Sequence, residues 1–186
     1  MAVSVAPGVD ATVLRSPPLI RPAVAADAGT ILEIYNEAVL STTATFDTEP
    51  RSLEEQASWL AHHDTRHPVL VAELEGKVVG WAALSPWSER RAYMETAESS
   101  VYVETRLQNR GVGRALMKEI LAEASRAGLH SILARIAEGN PVSRRLHVVA
   151  GFASIGVMHE VGYKFGRFLD VELMERRIER GELAKP

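Results

Sequence analysis

The 186-residue chain contains no cysteine. This absence excludes disulfide bonds, thiolate metal sites and a covalent intermediate on a cysteine nucleophile. Histidine is present, but His62, His63 and His67 are adjacent or irregularly spaced and lack a matching set of carboxylates. The sequence therefore predicts no metal site.

Long apolar runs and an excess of one charge are also missing. No run approaches the ~20 apolar residues that cross a membrane, and the first residues lack the basic start and apolar core of a signal peptide. The 21 lysines and arginines are interspersed with 24 acidic residues, which argues against a nucleic-acid surface or a polybasic membrane patch. We therefore expect a cytoplasmic protein that acts on a small molecule.

The length predicts a single domain, because 186 residues suffice for one buried core and are few for two. Residues 1–18 are small, polar and punctuated by proline, without apolar periodicity, and are expected to form a flexible extension. The domain is expected to span residues 19–177 and to be followed by a C-terminal tail at residues 178–186.

The hydrophobic pattern predicts a mixed α/β sheet (α+β class). Ser52 and Glu55 have the spacing of a capping box, Asp27 is a candidate N-cap, and Glu75-Gly76 is typical of a hairpin turn. Hairpins dominate the strand order, which favours a mixed sheet over a doubly wound parallel one. Helical periodicity covers residues 27–39, 53–62, 112–126 and 140–149, and strand-like runs cover residues 19–24, 69–73, 77–84, 94–103, 131–136, 152–160 and 168–174.

A glycine-containing loop, Gln108 to Gly113, joins the strand that ends at Val103 to the helix that begins at Val112. Its glycines let the backbone approach a ligand closely, and the free amides of the helix start suit a phosphate or pyrophosphate. The dinucleotide-binding pattern is broken by Leu116, and the Walker pattern is absent. A strand-to-helix turn without any ligand is the alternative, and the motif alone does not decide between the two.

The Q-x-x-G-x-G pattern resembles the acyl-CoA pyrophosphate motif of the GCN5-related N-acetyltransferase superfamily. The order of elements from Leu19 onward also resembles the N-acetyltransferase (GNAT) fold, a central, mixed, mostly antiparallel sheet flanked by helices. This resemblance implies acetyl-CoA as co-substrate, with its pyrophosphate on the loop amides and its pantetheine along the preceding strand. The cofactor-binding residues implied are Val101, Tyr102, Val103, Gln108, Asn109, Arg110, Gly111, Val112, Gly113, Arg114, Asn140 and Ser143.

Glu98 is a carboxylate in the strand that leads into the glycine loop. Partial burial there would favour its neutral form and suit a general base that takes a proton from an ammonium group. A surface carboxylate on the solvent face of the strand is the alternative. The run T-A-E-S-S-V-Y-V, residues 96–103, resembles the corresponding stretch of phosphinothricin N-acetyltransferases, in which this glutamate is the proposed base.

Asn140, Ser143 and His147 are expected to share one face of a short helix. In the wider superfamily this helix carries an asparagine for the pantetheine arm and, seven residues later, a tyrosine that protonates the departing thiolate. His147 takes the place of that tyrosine, which resembles the phosphinothricin branch. The imidazole is expected to donate this proton or to assist deprotonation of the acceptor, and a helix histidine satisfied by water is the alternative.

Residues 161–170 resemble the Gly-Tyr-Lys signature of the same branch, with Phe168 in place of a frequent tryptophan. The resemblance implies that Tyr163 and Lys164 lie at the rim of the acceptor pocket. The alternative is an ordinary aromatic turn packed on the sheet, with Phe168 in the core.

Two earlier segments, residues 45–50 and 87–93, resemble substrate loops of this branch. Phe46 is expected to supply apolar contact to the acceptor side chain. The predicted acceptor site is completed by Tyr93, Arg90 and Arg91. The guanidinium groups are expected to hold the carboxylate of the acceptor, because arginine binds a carboxylate through two parallel hydrogen bonds. The alternative for Arg90 and Arg91 is a pair of solvated side chains on a loop, without a ligand.

The resemblance implies an acyltransferase that acetylates a small amino-acid-like amine, such as phosphinothricin, methionine sulfoximine or methionine sulfone. The absence of cysteine supports direct transfer in a ternary complex. Relatives are commonly homodimers, so a homodimer is expected. Two alternatives remain: acetylation of a polyamine or a protein N-terminus, and a non-catalytic acyl-CoA sensor. A polyamine site would need an acidic pocket, whereas the predicted loops are basic, and both proton-transfer candidates argue against a sensor.

Overall fold

The computed structural model describes residues 16–179. The predicted N-terminal extension and C-terminal tail lie almost entirely outside these residues, so both remain predictions. The strands are β1 (Leu19–Pro22), β2 (Val69–Leu74), β3 (Lys77–Pro86), β4 (Thr96–Val103), β5 (Ser131–Ala137), β6 (Ala153–Lys164) and β7 (Arg167–Arg177). The helices are α1 (Ala28–Ser41), α2 (Leu53–Ala61), α3 (Val112–Arg126) and α4 (Pro141–Val149).

All seven strands form one sheet in the order β1-β2-β3-β4-β5-β7-β6. Every neighbouring pair is antiparallel except β4 and β5, which are parallel and are connected through α3. The predicted mixed sheet, mostly antiparallel and flanked by helices, is therefore confirmed.

The parallel pairing of β4 with β5 is short. It joins Thr96 to Ser131, Ala97 to Ile132 and Glu98 to Leu133, and it ends there. β4 continues to Val103 beside β3, whereas β5 continues to Ala137 beside β7. The two strands therefore part after Glu98, and a cleft opens between them in the middle of the sheet.

Each face of the sheet carries its own hydrophobic core, because side chains alternate between the two faces of a strand. Ala97 and Val101 of β4 pack on the side of α3. Tyr102 of β4 points to the side of α1 and α2, where its ring stacks on Trp81 at 4.7 Å between centroids. Trp59 of α2 joins the same cluster, 5.4 Å from Trp81. The cleft therefore lies between two well-packed layers.

The helix starts only partly follow the sequence predictions. The Ser52 capping box is confirmed: its hydroxyl accepts from the Glu55 amide at 3.2 Å, and its own amide donates to the Glu55 carboxylate at 2.7 Å. Asp27 occupies the predicted N-cap position but does not cap α1. Its carboxylate accepts from the Val24 amide and pairs with Arg21, and the Arg21 hydrogen bond lowers the pKa of Asp27.

The last two strands are longer than the sequence pattern predicts. β6 and β7 are joined by a two-residue turn at Phe165 (φ 51°) and Gly166 (φ 77°), the positive-φ pair that suits a tight hairpin. Tyr163 and Lys164, expected between the last two strands, are therefore the last residues of β6. Phe168 is 58% exposed, so the alternative that placed this side chain in the core is wrong. β6 forms one edge of the sheet, and β1 forms the other.

Within residues 16–179, no helix combines the length and apolar composition that crossing a membrane requires. The same part of the chain holds no group of three or more histidines and carboxylates arranged to bind a metal ion.

Candidate functional site

A cleft of about 370 Å³ opens where β4 and β5 part. Its walls come from β4, the glycine loop, β5 and α4. Ten of the twelve predicted cofactor-binding residues line it: Val101, Tyr102, Val103, Gln108, Asn109, Gly111, Gly113, Arg114, Asn140 and Ser143. The other two do not: Arg110 is exposed outside the lining, and Val112 is fully buried in the core beneath the loop.

One edge of β4 faces this cleft with its backbone. Val101 to Val103 pair with β3 on one side, but the pairing with β5 on the other side ends at Glu98. Among residues 16–179, no strand pairs with the remaining part of this edge. Its amide and carbonyl groups are therefore available to an extended ligand, in the way that a peptide adds a strand to a sheet.

The glycine loop places the start of α3 at the end of the cleft. Asn109 (φ 60°) and Gly111 (φ 92°) take left-handed conformations, which glycine adopts without steric cost. The Gly111 carbonyl accepts the first helical hydrogen bond, from the Ala115 amide at 3.0 Å. The preceding amides of the first turn have no partner within the helix, so together with the helix dipole they favour an anion.

Two cations border this part of the cleft. Arg114, predicted from the sequence, lies in the first turn of α3, and Arg145 projects from α4. Arg145 was not predicted from the sequence, because it lies off the helix face that Asn140, Ser143 and His147 share.

Glu98 lies where the two strands begin to part, beside the cleft but outside its lining, and its carboxylate is paired. Its Oε1 accepts from Arg135 Nε at 2.7 Å, and its Oε2 accepts from Arg135 Nη2. The Glu98 side chain is 18% exposed, so the expected partial burial is present. The two-point contact with the guanidinium fixes the orientation of the carboxylate. Arg135 is a cleft residue that the sequence analysis missed.

His147 lines the cleft from α4 and is only 3% exposed. Its Nδ1 donates to the Ser143 carbonyl at 2.8 Å, because a carbonyl oxygen can only accept. Nε2 then carries the lone pair, and it is buried without a protein partner. Burial lowers the pKa of His147. The imidazole is therefore neutral near pH 7 and presents a hydrogen-bond acceptor.

The segment after α1, residues 42–48, crosses one side of the site and is called the strap below. Its Thr43 hydroxyl donates to the Glu138 carbonyl at 2.9 Å, beyond β5. The Tyr102 hydroxyl donates to the Ala44 carbonyl at 3.3 Å, and Lys164 Nζ donates to the Thr45 carbonyl at 2.8 Å. The strap is thus tied to both sides of the cleft.

The strap places Phe46 against β6, as a contact that only glycine permits. A Cβ built on Gly162 would lie 2.0 Å from the nearest ring carbon of Phe46, far inside van der Waals contact. Lys164 is 4% exposed beneath the same segment, and burial lowers its pKa. The structure therefore brings two predicted acceptor residues, Phe46 and Lys164, to one place.

The other predicted acceptor residues stay outside this cluster. Arg90, Arg91 and Tyr93 are exposed on the loop between β3 and β4 and do not line the cleft. Tyr163 is 61% exposed, and its ring packs edge-on against Phe168. The loop reaches the site through another residue, Trp87, whose ring lies 5.7 Å from the Arg135 guanidinium.

Comparisons of the sequence identify relatives of this chain. The profile of the Acetyltransferase (GNAT) family matches residues 31–152. The phosphinothricin N-acetyltransferase of Streptomyces viridochromogenes is 39% identical over 89% of this chain and 90% of its own length. The L-methionine sulfoximine/L-methionine sulfone acetyltransferase of Salmonella typhimurium is 38% identical over 86% of this chain and 94% of its own length.

Solved structures resemble the fold closely. A phosphinothricin acetyltransferase from Sinorhizobium meliloti, in complex with acetyl-CoA, has a TM-score of 0.84 and 35% identity over 92% of this chain and 94% of its own. A ribosomal-protein-alanine N-acetyltransferase from Brucella melitensis has a TM-score of 0.83 and 39% identity over 86% of this chain and 99% of its own. The expected GNAT fold is confirmed.

The buried His147 should make stability depend on pH. The pKa of His147 is lower in the folded chain than in the unfolded chain, where it is near 6.5. Below this pH the unfolded chain therefore binds a proton at His147 more strongly than the folded chain does. The free energy of unfolding should therefore fall as the pH drops below about 6.5, by up to about 1.4 kcal/mol per pH unit for this group. Urea unfolding at pH 7.5 and 5.5 should show a smaller fall in His147→Gln than in the wild type.

His62→Gln is the matched control, because His62 makes the same bond to the carbonyl four residues earlier, at 2.6 Å, but is exposed. This variant should keep the pH dependence of the wild type. Equal pH dependence in His147→Gln and the wild type would contradict the assignment of a neutral, buried imidazole.

Proposed function

The chain belongs to the acetyltransferase (GNAT) family, and we propose that it transfers the acetyl group of acetyl-CoA to the amino group of a small amino-acid-like acceptor. Phosphinothricin, methionine sulfoximine and methionine sulfone are the acceptors named for its relatives. The observation that carries this proposal is the cleft itself, which has an anion-binding helix start at one end and, at the other, Arg135, whose guanidinium pairs with Glu98.

The residues of the cleft fit acetyl-CoA as a co-substrate. The amides from Arg110 to Gly113, with charge from Arg110 and Arg114, would hold the pyrophosphate. The open backbone edge at Val101 to Val103 would pair with the amides of the pantetheine arm. Asn140 and Ser143 would complete this arm's contacts, although the Asn140 side chain already accepts from the Ser143 amide at 3.1 Å.

The proposed reaction is direct transfer. The ammonium group first loses one proton, the resulting amine nitrogen bonds to the acetyl carbon, the carbon–sulfur bond breaks, and a second proton from the nitrogen reaches the departing thiolate. Glu98 attracts the ammonium group and takes its proton through water, and a backbone amide near Val103 stabilises the developing oxyanion. His147 takes this second proton at Nε2 and delivers it to the thiolate, because its Nδ1 proton is committed to the Ser143 carbonyl.

The acceptor would bind between the Glu98 end of the cleft and the strap. Phe46 would contact its side chain, and Lys164 would hold the strap in place through the Thr45 carbonyl. The second group of predicted contacts, Arg90, Arg91, Tyr93 and Tyr163, is exposed, so acceptor binding would have to draw these side chains inward.

We also propose a cytoplasmic homodimer whose interface includes β6. This strand is one of the two edges of the sheet, and its exposed apolar side chains include Ile155, Val157 and Val161. An exposed edge with apolar side chains is a template for pairing with a second strand, and a two-fold axis would let two copies of β6 pair with each other.

An acceptor screen tests the proposed activity. Purified protein, acetyl-CoA and a panel of amines are combined, and thiol release is followed with product identification by mass spectrometry. Methionine sulfoximine, methionine sulfone and phosphinothricin should be acetylated, whereas spermidine and an alanine-initiated ribosomal peptide should not. Turnover of the peptide alone would replace the proposed acceptor class. Retained acetyl-CoA binding without turnover of any amine would favour the sensor.

Glu98→Gln keeps the shape of the side chain but removes its charge. We expect kcat for methionine sulfoximine to fall by about 10²–10⁴, the range for loss of a general base, while the Kd of acetyl-CoA changes little. Steady-state kinetics and calorimetry measure the two quantities separately. An unchanged kcat would remove Glu98 from the mechanism.

Charging the edge strand should separate the proposed dimer. The double variant Ile155→Lys/Val157→Lys places two ammonium groups on the exposed edge, where pairing with a second copy would bury them. Sedimentation velocity should show a dimer for the wild type and a monomer for this variant. Leu40→Lys, an equally apolar and 62% exposed position on α1, is the control and should remain dimeric. A monomeric wild type would contradict the proposal.

A further inference from the structure

Arg135 is the one guanidinium that reaches the Glu98 carboxylate among the described residues, and neither the sequence motifs nor the family assignment gives it a role. It makes a two-point contact, with Nε on one carboxylate oxygen and Nη2 on the other. Such parallel bonds fix the orientation of both side chains, because the planar guanidinium matches the geometry of a carboxylate.

The sheet register explains why this pair forms. Glu98 faces Leu133 in the last pair of the parallel ladder, and Arg135 follows Leu133 by two residues. Side chains two residues apart lie on the same face of a strand, so Arg135 is the diagonal neighbour of Glu98. The strands part at this point, and the long arginine side chain bridges the gap that opens.

The surroundings leave Arg135 as the cationic partner of Glu98. β3 contributes Ser85 opposite Glu98, β5 contributes Arg135, and β4 contributes Tyr102, whose pKa is raised by burial. On the loop between β3 and β4, the Trp87 ring lies under the guanidinium at 5.7 Å and limits where it can move. The Glu98 side chain is 18% exposed, whereas the Arg135 side chain is 54% exposed and lines the cleft.

We propose that Arg135 is a positioning residue for the transfer reaction: it keeps Glu98 ionised and holds its carboxylate at the point where the acceptor's ammonium group enters the cleft. This inference rests on the proposed function. Without the guanidinium, a partly buried carboxylate would retain its desolvation cost without a compensating cation, and its neutral form would be favoured. Glu98 would then lose both its fixed orientation and its attraction for the ammonium group.

The test compares Arg135→Gln with a matched variant, Arg144→Gln. Arg144 on α4 makes a similar two-point pair with Glu172 of β7, with side-chain exposures of 56% and 17%, but it does not line the cleft. Arg135→Gln should move the acidic limb of the kcat/KM profile for methionine sulfoximine upward by about one pH unit, which lowers kcat/KM by up to about tenfold at pH values below the limb. The KM for acetyl-CoA should stay within a factor of two.

Arg135→Lys should restore part of the shift in the acidic limb, because it returns the charge without the two-point geometry. Arg144→Gln should keep the profile of the wild type. The inference would be overturned if the pH profile of Arg135→Gln matched that of the wild type. It would also be overturned if Arg144→Gln shifted the acidic limb as far as Arg135→Gln does.

A measurement that does not require catalytic turnover tests the role of Arg135 separately from the proposed function. The carboxyl carbon of Glu98 is observed by NMR in ¹³C-glutamate-labelled protein, assigned by its loss in Glu98→Gln, and titrated in the wild type and in Arg135→Gln. The midpoint of this titration should rise in Arg135→Gln. Absence of turnover in the wild type would refute the proposed activity, whereas an unchanged midpoint would refute the role of Arg135, whatever the activity.

Discussion

The structure depends on one constraint in the middle of its sheet, the brevity of the parallel ladder between β4 and β5. Three residue pairs hold the two strands together, and each strand then follows a different antiparallel neighbour. The separation exposes a backbone edge inside the sheet, where it would otherwise be paired. It also places the glycine loop at the far end of that edge and leaves Glu98 at the near end. The site is thus a consequence of how the strands pair and not of a separate insertion.

The two ends of the cleft use different physical means. At the loop end, backbone amides and the dipole of α3 provide positive potential without a buried side-chain charge. At the other end, charge is concentrated in one ion pair between Glu98 and Arg135, and a neutral imidazole, His147, adds an acceptor. Opposite ends of an extended ligand would therefore meet an anion-binding surface and an ion pair of no net charge beside a hydrogen-bond acceptor.

Local features were predictable from the sequence, and contacts across the sheet were not. The Ser52 capping box, the Glu75-Gly76 turn and the glycine loop depend on neighbouring residues, so their chemistry is visible in the sequence. The contact between Arg135 and Glu98 was not predictable, because it follows from the register of β4 against β5, which no local pattern encodes. The same holds for Gly162, whose missing side chain admits the ring of Phe46 from a segment more than a hundred positions earlier. Arg90 and Arg91 had the right chemistry, but an exposed loop carries them outside the cleft lining.

The placement of the tryptophans gives the molecule a built-in optical probe. The chain has three of them, and two, Trp59 and Trp81, belong to one packed aromatic cluster on the face of α1 and α2. Trp87 stands apart, with its ring beneath the Arg135 guanidinium. Fluorescence from the first two reports the integrity of the core, and that from the third reports events around the ion pair. Tryptophan fluorescence thus contains two separate signals. Replacing Trp87 alone with phenylalanine would remove the signal from the ion pair and leave that from the core.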